Sequence, residues 1–285
     1  MKALKRITMI MIAALFSTAA QAKETSPPRI ISAGNGITEI IYALGAGDQL
    51  IAVDSTSVYP AEVHRLPKLG YHKQLSAEGI LAMNPSILVG TDDMGPPATI
   101  EQLKGAGLTI SALPLQNNAD NIQLRIESLA KLLDREQEGK RLWKSVSESL
   151  SEARAIAGEQ KKPKVLFMLA MGGRTPSVSG SDTSAHALIE LAGGVNPAAE
   201  QFSSYKPLSN EALLMLAPDV VVFSDQGKGT TPQQLIDMQP ILKQTPAGKS
   251  GRLIAIDPGM LLGGLGPRTG ELAVELAKAF FTSES

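Results

Sequence analysis

The sequence predicts an α/β protein of two similar lobes, each with a mainly parallel sheet, joined by one long α-helix. An internal repeat is the first observation behind this. Leu75-Ser-Ala-Glu-Gly-Ile-Leu-Ala-Met-Asn-Pro-Ser-Ile-Leu-Val89 recurs as Leu208-Ser-Asn-Glu-Ala-Leu-Leu-Met-Leu-Ala-Pro-Asp-Val-Val-Val222. In both copies a serine stands at an N-cap position and a short apolar helix follows. A proline then ends the helix and leads into a hydrophobic strand. A weaker echo pairs Ile37–Gly47 with Ala185–Val195, each an apolar helix closed by a glycine-rich turn. The third observation is Leu133–Gly158, where Leu142, Val146, Leu150, Ala153 and Ala157 recur at helical spacing and Arg141, Lys144, Glu148 and Glu152 face water. Asp134, with Gln137 three residues on, is the expected N-cap. A helix of that length spans roughly 35 Å, which suits a strut between duplicated halves.

Composition narrows the function. A chain of 285 residues that is 43% hydrophobic is long enough for two cores. Cysteine is absent, which removes disulfides, thiolate nucleophiles, Cys-ligated zinc and iron–sulfur clusters. Residues 1–22 have the pattern of a secretory signal. Lys2, Lys5 and Arg6 precede an apolar core at Ile7–Phe16, and Ala20-Gln21-Ala22 forms a cleavage site. That apolar core is too short to span a bilayer, and with no cysteine after it a lipid-anchored form is not expected. Cleavage after Ala22 takes three of 27 basic residues and none of 28 acidic ones, leaving a formal charge of −4. A mildly acidic periplasmic protein has no evident use for nucleic acid or an anionic membrane surface.

In chain order, Arg29–Ser32 begins a strand, Asn35 opens a helix running to Gly45, and Gln49–Asp54 is a second strand ended by Tyr59-Pro60. The Gly34-Asn-Gly36 turn has neither GxGxxG spacing nor a Walker lysine, so a nucleotide site is not expected. Tyr71 lies in the loop before the first repeated helix, where open parallel sheets place binding residues, and Lys73 follows two residues later. A cation there favours an ionised phenol, a ligand type known for haem iron. Spacing alone leaves open whether Tyr71 is a ligand or a residue of the rim. In the second half Lys164–Ala170 is a strand, Gly172–Gly180 a turn or hairpin, and Thr183 caps a helix ending at Gly193-Gly194. Tyr205 and Lys206 stand before the second repeat as His72 and Lys73 stand before the first, so the duplication sets both pairs on facing lips of one cleft. Ser224–Thr230, with Lys228, again follows a strand, and Pro258–Pro267 is a glycine-rich apolar loop.

Catalysis finds little support. His64, His72 and His186 lack metal-ligand spacing, no GxSxG elbow occurs, and Ser177–Ser181 has no base in order beside it. Asp92-Asp93 are adjacent at a strand end and so point to opposite faces, as residues that solvate a turn do.

Leu66-Pro-Lys-Leu-Gly-Tyr-His-Lys-Gln-Leu-Ser, Gly180–Asn196 and Gly263-Gly-Leu-Gly-Pro-Arg-Thr-Gly270 together resemble the periplasmic haem-binding proteins of bacterial haem ABC importers, over about residues 29–281. The resemblance implies a helix-bridged binding protein that is not an enzyme. Its lobes lie at 23–118 and 162–285, with a helical connection at 119–161. Tyr71 is then the axial iron ligand and Lys73 its assistant. Met171 stands where relatives often carry a histidine, and Lys228 near a relative's propionate-binding arginine. Tyr205 and Lys206 belong to the opposite lip, and Met260 to a loop lying against the ring. In the wider helix-bridged family, which includes cobalamin and ferric-siderophore carriers, one glutamate per lobe meets permease arginines; Glu78 and Glu211 are the matching positions. The implied ligand is haem. The implied partners are an inner-membrane permease with its ATPase and an outer-membrane haem uptake system as the source, with the carrier itself a monomer. The alternatives are a siderophore or cobalamin carrier of the same fold, or a secreted hydrolase. A single bridging helix implies only small hinge motion.

Overall fold

Two sheets face each other across a helical bridge in the computed structural model, which describes residues 27–170, 175–225 and 229–281. In the first lobe β1 (Ile30–Ala33), α1 (Asn35–Ala43), β2 (Leu50–Val53), α2 (Ala77–Ala82), β3 (Ile87–Thr91), α3 (Pro97–Gly105) and β4 (Thr109–Leu113) form a wholly parallel sheet of order β2-β1-β3-β4. Its strands are short apolar runs because helices and loops cover both faces. α4 (Ala119–Leu132) then packs on α5 (Glu136–Ala157), the long helix.

The second lobe contains β5 (Val165–Ala170), β6 (Ser177–Ser179), α6 (Ser184–Leu191), β7 (Tyr205–Pro207), α7 (Asn210–Leu216), β8 (Val220–Asp225), α8 (Pro232–Met238), α9 (Pro246–Ser250) and β9 (Leu253–Ala255). Its sheet has the order β7-β6-β5-β8-β9. β5, β8 and β9 run parallel, while β6 and β7 add an antiparallel edge, so this half is mixed. Pro207 fits an edge strand, where its missing N–H costs no ladder bond. The last helix, α10 (Thr269–Phe281), returns along α5.

Both repeats fold alike. Ser76 and Ser209 accept hydrogen bonds from Gly79 N–H and Ala212 N–H as N-caps. Each helix is left through a residue with positive φ just before the proline, Asn84 at 48° and Ala217 at 45°. Thr183 caps α6 as expected, accepting from His186 N–H.

The long helix differs from expectation at its start. Arg135, not Asp134, occupies the N-cap, and no side chain caps it. Asp134 instead takes φ 54°, reversing the chain between α4 and α5 while Arg135 N–H bonds back to Ala130. A residue spent on that left-handed reversal cannot also hold the extended N-cap conformation. Gly139 lets the two helices approach, since a Cβ there would lie 2.5 Å from that of Ala130.

The bridge is also thicker than one helix. α10 lies beside α5, and Gly270 sits so close that an added Cβ would be 2.9 Å from Val146 O. A single apolar cluster runs from Ile30 and Ile37 through Val146 and Leu150 to Phe167, Leu188 and Phe280, while separate clusters fill the outer face of each sheet. Large hinge opening would shear that continuous core, so close packing limits the motion.

Candidate functional site

The carboxyl ends of the parallel strands in both lobes face a common cleft of about 330 Å³, the place where open α/β sheets bind ligands. Tyr71 stands at its mouth, 42% exposed. Its loop is tied down on both sides: Ser55 N–H bonds to Gly70 O, Leu75 N–H to Gly95 O, and Gly95 N–H to His72 O. The phenol is therefore exposed on a fixed backbone rather than on a loose tip.

Beneath it lies a charged network. His72 is buried, 3% exposed, with its ring 4.4 Å from that of Tyr71. Its Nδ1 is 3.4 Å from Asp54 and its Nε2 3.7 Å from Asp93, distances of ion pairs rather than aligned hydrogen bonds. Burial opposes a charge on His72, but the two carboxylates outweigh it and raise its pKa to about 9. Burial likewise works to raise Asp54, yet His72, Ser57, Thr56 and Gly34 N–H hold it at about 2. Asp93, opposed by burial in the same way, is held well below the usual carboxylate range by His72, Lys73 and Thr91. Lys73 Nζ lies 2.7 Å from Asp93 Oδ2; that bond raises its pKa, with a smaller contribution from Tyr71. The wall below Tyr71 thus holds two cations and two anions.

The opposite wall is mixed, an apolar patch set among Asp182, Thr183, Ser184, Ser204 and Ser224. Phe167 and Leu169 of β5 form the patch with Tyr205, whose ring meets Phe167 edge-on at 6.3 Å. Burial pushes the Tyr205 phenol up to about 12, against hydrogen bonds from Thr183 and from Ala185 N–H. It is a neutral group held at the start of α6. Pro258, Leu261, Leu262, Gly263 and Gly264 close one side.

That glycine-rich loop crosses from the second lobe onto the first. Asn35 Nδ2 donates to Gly259 O at 2.8 Å, Leu265 N–H to Asn117 Oδ1 at 3.1 Å, and the buried Arg125 to Leu265 O at 3.0 Å. A Cβ on Gly263 would fall 2.5 Å from Asn35 N, so only glycine fits.

A model of the periplasmic binding protein family matches residues 30–259. The chain belongs to that family. Among solved structures, the fold of this binding protein is similar to the periplasmic haem-binding protein RhuT from Roseiflexus sp. RS-1, with TM-score 0.81, 38% identity and coverage of 90% of this chain and 98% of that one. It is similar also to the periplasmic haem-binding protein HutB of Vibrio cholerae, with TM-score 0.81, 36% identity and coverage of 90% and 99%. Among relatives by sequence, a vitamin B12-binding protein of Vibrio cholerae is 28% identical over 72% of this chain and 73% of its own. YvrC, an uncharacterised ABC transporter substrate-binding lipoprotein of Bacillus subtilis, is 26% identical over 90% and 80%. This binding protein is accordingly the substrate-binding component of an ABC importer.

Of the residues singled out from sequence, Tyr71, Lys73 and Tyr205 line the cleft. Lys206 does not; exposed on β7, it lies over the Phe202 ring at 5.6 Å. Met260 is half-buried against the continuous core, while its neighbours Pro258, Leu261 and Leu262 face the cleft. His72 is not a lip residue but a buried support. Met171 and Lys228 lie outside the described residues, as does the signal segment 1–22. Among the described residues no helix is long and apolar enough to cross a membrane. Glu78 and Glu211 are exposed at equivalent positions in the first turns of α2 and α7.

Sequence reasoning misplaced Asp93. Asp92 stays exposed and ties the ends of β3 and β4 together, accepting from Leu115 N–H at 3.0 Å, but its neighbour turns inward to Lys73 and His72. The available signal was an acid at the carboxyl end of a parallel strand, with a His-Lys pair in the adjoining loop. Asp54 carries the same signal at the end of β2.

Proposed function

We propose that this protein is exported, cleaved after Ala22, and carries haem across the periplasm as a monomer to an inner-membrane permease and its ATPase, with an outer-membrane uptake system as the source. The observation that carries the reading is Tyr71, a phenol fixed at the cleft mouth beside Lys73 and the charged His72. Ferric iron takes a phenolate, and two adjacent cations would compensate the charge such a ligand brings. The apolar surface of Phe167, Leu169, Leu261 and Leu262 suits a flat macrocycle, whose burial supplies most of the binding energy. Lys228 for a propionate and Met171 for a ring contact rest on the resemblance alone, since both lie outside the described residues, and Lys206 and Met260, which do not line the cleft, would meet the ligand only beyond its walls. The haem-binding proteins of similar fold support the same cargo. No part of this reading requires catalysis. Glu78 and Glu211 would each meet a permease cation, one per lobe.

The vitamin B12-binding relatives favour a second reading, cobalamin as cargo. Titration of the purified protein with ferric haem and, separately, with cyanocobalamin decides between them. A tyrosinate-type spectrum with haem that disappears in Tyr71→Phe is the expected result. Tight cobalamin binding with no haem spectrum, or a Tyr71→Phe spectrum identical to that of the parent, overturns the haem assignment.

A further inference from the structure

Three of the large hydrophobic side chains left exposed among the described residues sit on two short helices, α2 and α7. Leu81 and Leu214 are each 38% exposed, and Met215 is 81% exposed. The leucines occupy the same place in the two repeats, six residues after Leu75 and Leu208. The residue before each, Ile80 or Leu213, is fully buried in its own lobe, so both helices already have an inward apolar face. Met215 is therefore additional to what folding needs, and the two leucines keep over a third of their surface outside the fold. Each also stands three residues after a glutamate, Glu78 or Glu211, and side chains at that spacing share a helix face. Both carboxylates are exposed, and that of Glu211 is held at the start of its own helix by its own N–H and Ser209.

Position says which way this surface looks. The segments that bring Tyr71 and Tyr205 to the cleft lead within a few residues into α2 and α7, so both helices start out from the cleft's edge. Each helix carries one acid and at least one apolar knob, and duplication relates the helices. A matching partner has two related halves, each offering a cation beside an apolar recess. A permease built of two equivalent halves has that symmetry.

We propose that Leu81 on one lobe and Leu214 with Met215 on the other are paired apolar footholds that seat this protein on its two-fold permease. The inference rests on the permease reading above and adds the apolar half of the contact. The carboxylates supply long-range attraction that salt screens; the footholds supply desolvated contact that salt does not weaken.

The test uses the full-length mature protein and the permease–ATPase complex of the same bacterium in lipid nanodiscs, with affinity measured at low and high salt. The variant L81S/L214S/M215S is expected to lose about tenfold in affinity at both salt concentrations with its haem titration unchanged, and M215S alone, at an 81% exposed position, is expected to lose part of that affinity with its thermal midpoint unchanged. E78Q/E211Q is expected to lose affinity mainly at low salt. Parent-like affinity in the triple variant overturns the proposal. So does a parent that self-associates through these residues while its permease affinity is unaffected by their loss. A parent that titrates haem but never binds the permease overturns the footholds and the docking together. Docking that depends on the footholds in a protein that binds no haem supports them and removes only the haem assignment.

Discussion

Lys73, its side chain still half in solvent, places its Nζ 2.7 Å from Asp93 Oδ2 at the carboxyl end of β3. The bond holds a cation next to Tyr71 and keeps Asp93 facing His72. Asp93→Asn should therefore weaken ferric haem binding by about tenfold, although residue 93 need not touch the ligand. Haem titration of that variant, with Lys73→Ala alongside, checks it; additive losses in the double variant would show that the two act separately.

Stability should depend on His72 in a defined alkaline window. An unfolded imidazole titrates near about 6.5, whereas His72 in the fold titrates at about 9. The raised value means that the charged form favours the fold. Its contribution is complete below about 6.5 and is lost as the pH rises through about 9, on the order of 3 kcal/mol in all. Urea unfolding across that range should show the loss in the parent, and His72→Gln should flatten it.

The acid side has the opposite sign. Asp54 is held at about 2, below the ordinary carboxylate value of about 3.9. Its stabilisation is present above the ordinary value and disappears as the pH falls through about 2. Asp54→Asn should be less stable than the parent at neutral pH and lose less on acidification, as far-UV circular dichroism during acid titration would record.

Arg268 pins the crossing loop to α1 with two bonds to Glu39, Nε to Oε2 at 3.0 Å and Nη2 to Oε1 at 2.5 Å, and stacks on Tyr59 at 3.8 Å. Burial raises the Glu39 pKa even with this partner present. Arg268→Met should cost about 3 kcal/mol, and more at pH 8 than at pH 5, because the abandoned carboxylate can escape its penalty only by taking a proton. Adding Glu39→Met should restore much of the loss in chemical unfolding.

Ala217 occupies the left-handed conformation that Asn84 occupies in the other repeat. Alanine tolerates it less well than asparagine or glycine. Ala217→Gly should raise stability by about 0.5–1 kcal/mol, visible as a thermal midpoint about 1–3 °C higher.

Replacing the second cleft tyrosine should not mimic loss of the first. Tyr205 is pushed to about 12 and its oxygen is engaged by Thr183 and Ala185 N–H. Tyr205→Phe should leave the iron-ligand spectrum as it is and reduce haem affinity only several-fold.

The sequence by itself determined the two halves, the capped helices and the strands after them, because each is written in residues a few positions apart. Ser76 and Ser209 need only the next turn of chain to cap it, and the apolar stripe of α5 needs only its own periodicity. Tyr71 was singled out the same way, as a phenol in the loop before a repeated helix. Tertiary structure alone decided what surrounds it. Asp54, His72 and Asp93 come from three separate segments whose charges meet only where parallel strands end side by side. Glu39 and Arg268 are 229 positions apart, and the glycines at 34 and 263 touch because a loop crosses between lobes. Such pairings leave no periodic trace in a single chain: burial and the low dielectric that make them strong exist only after folding.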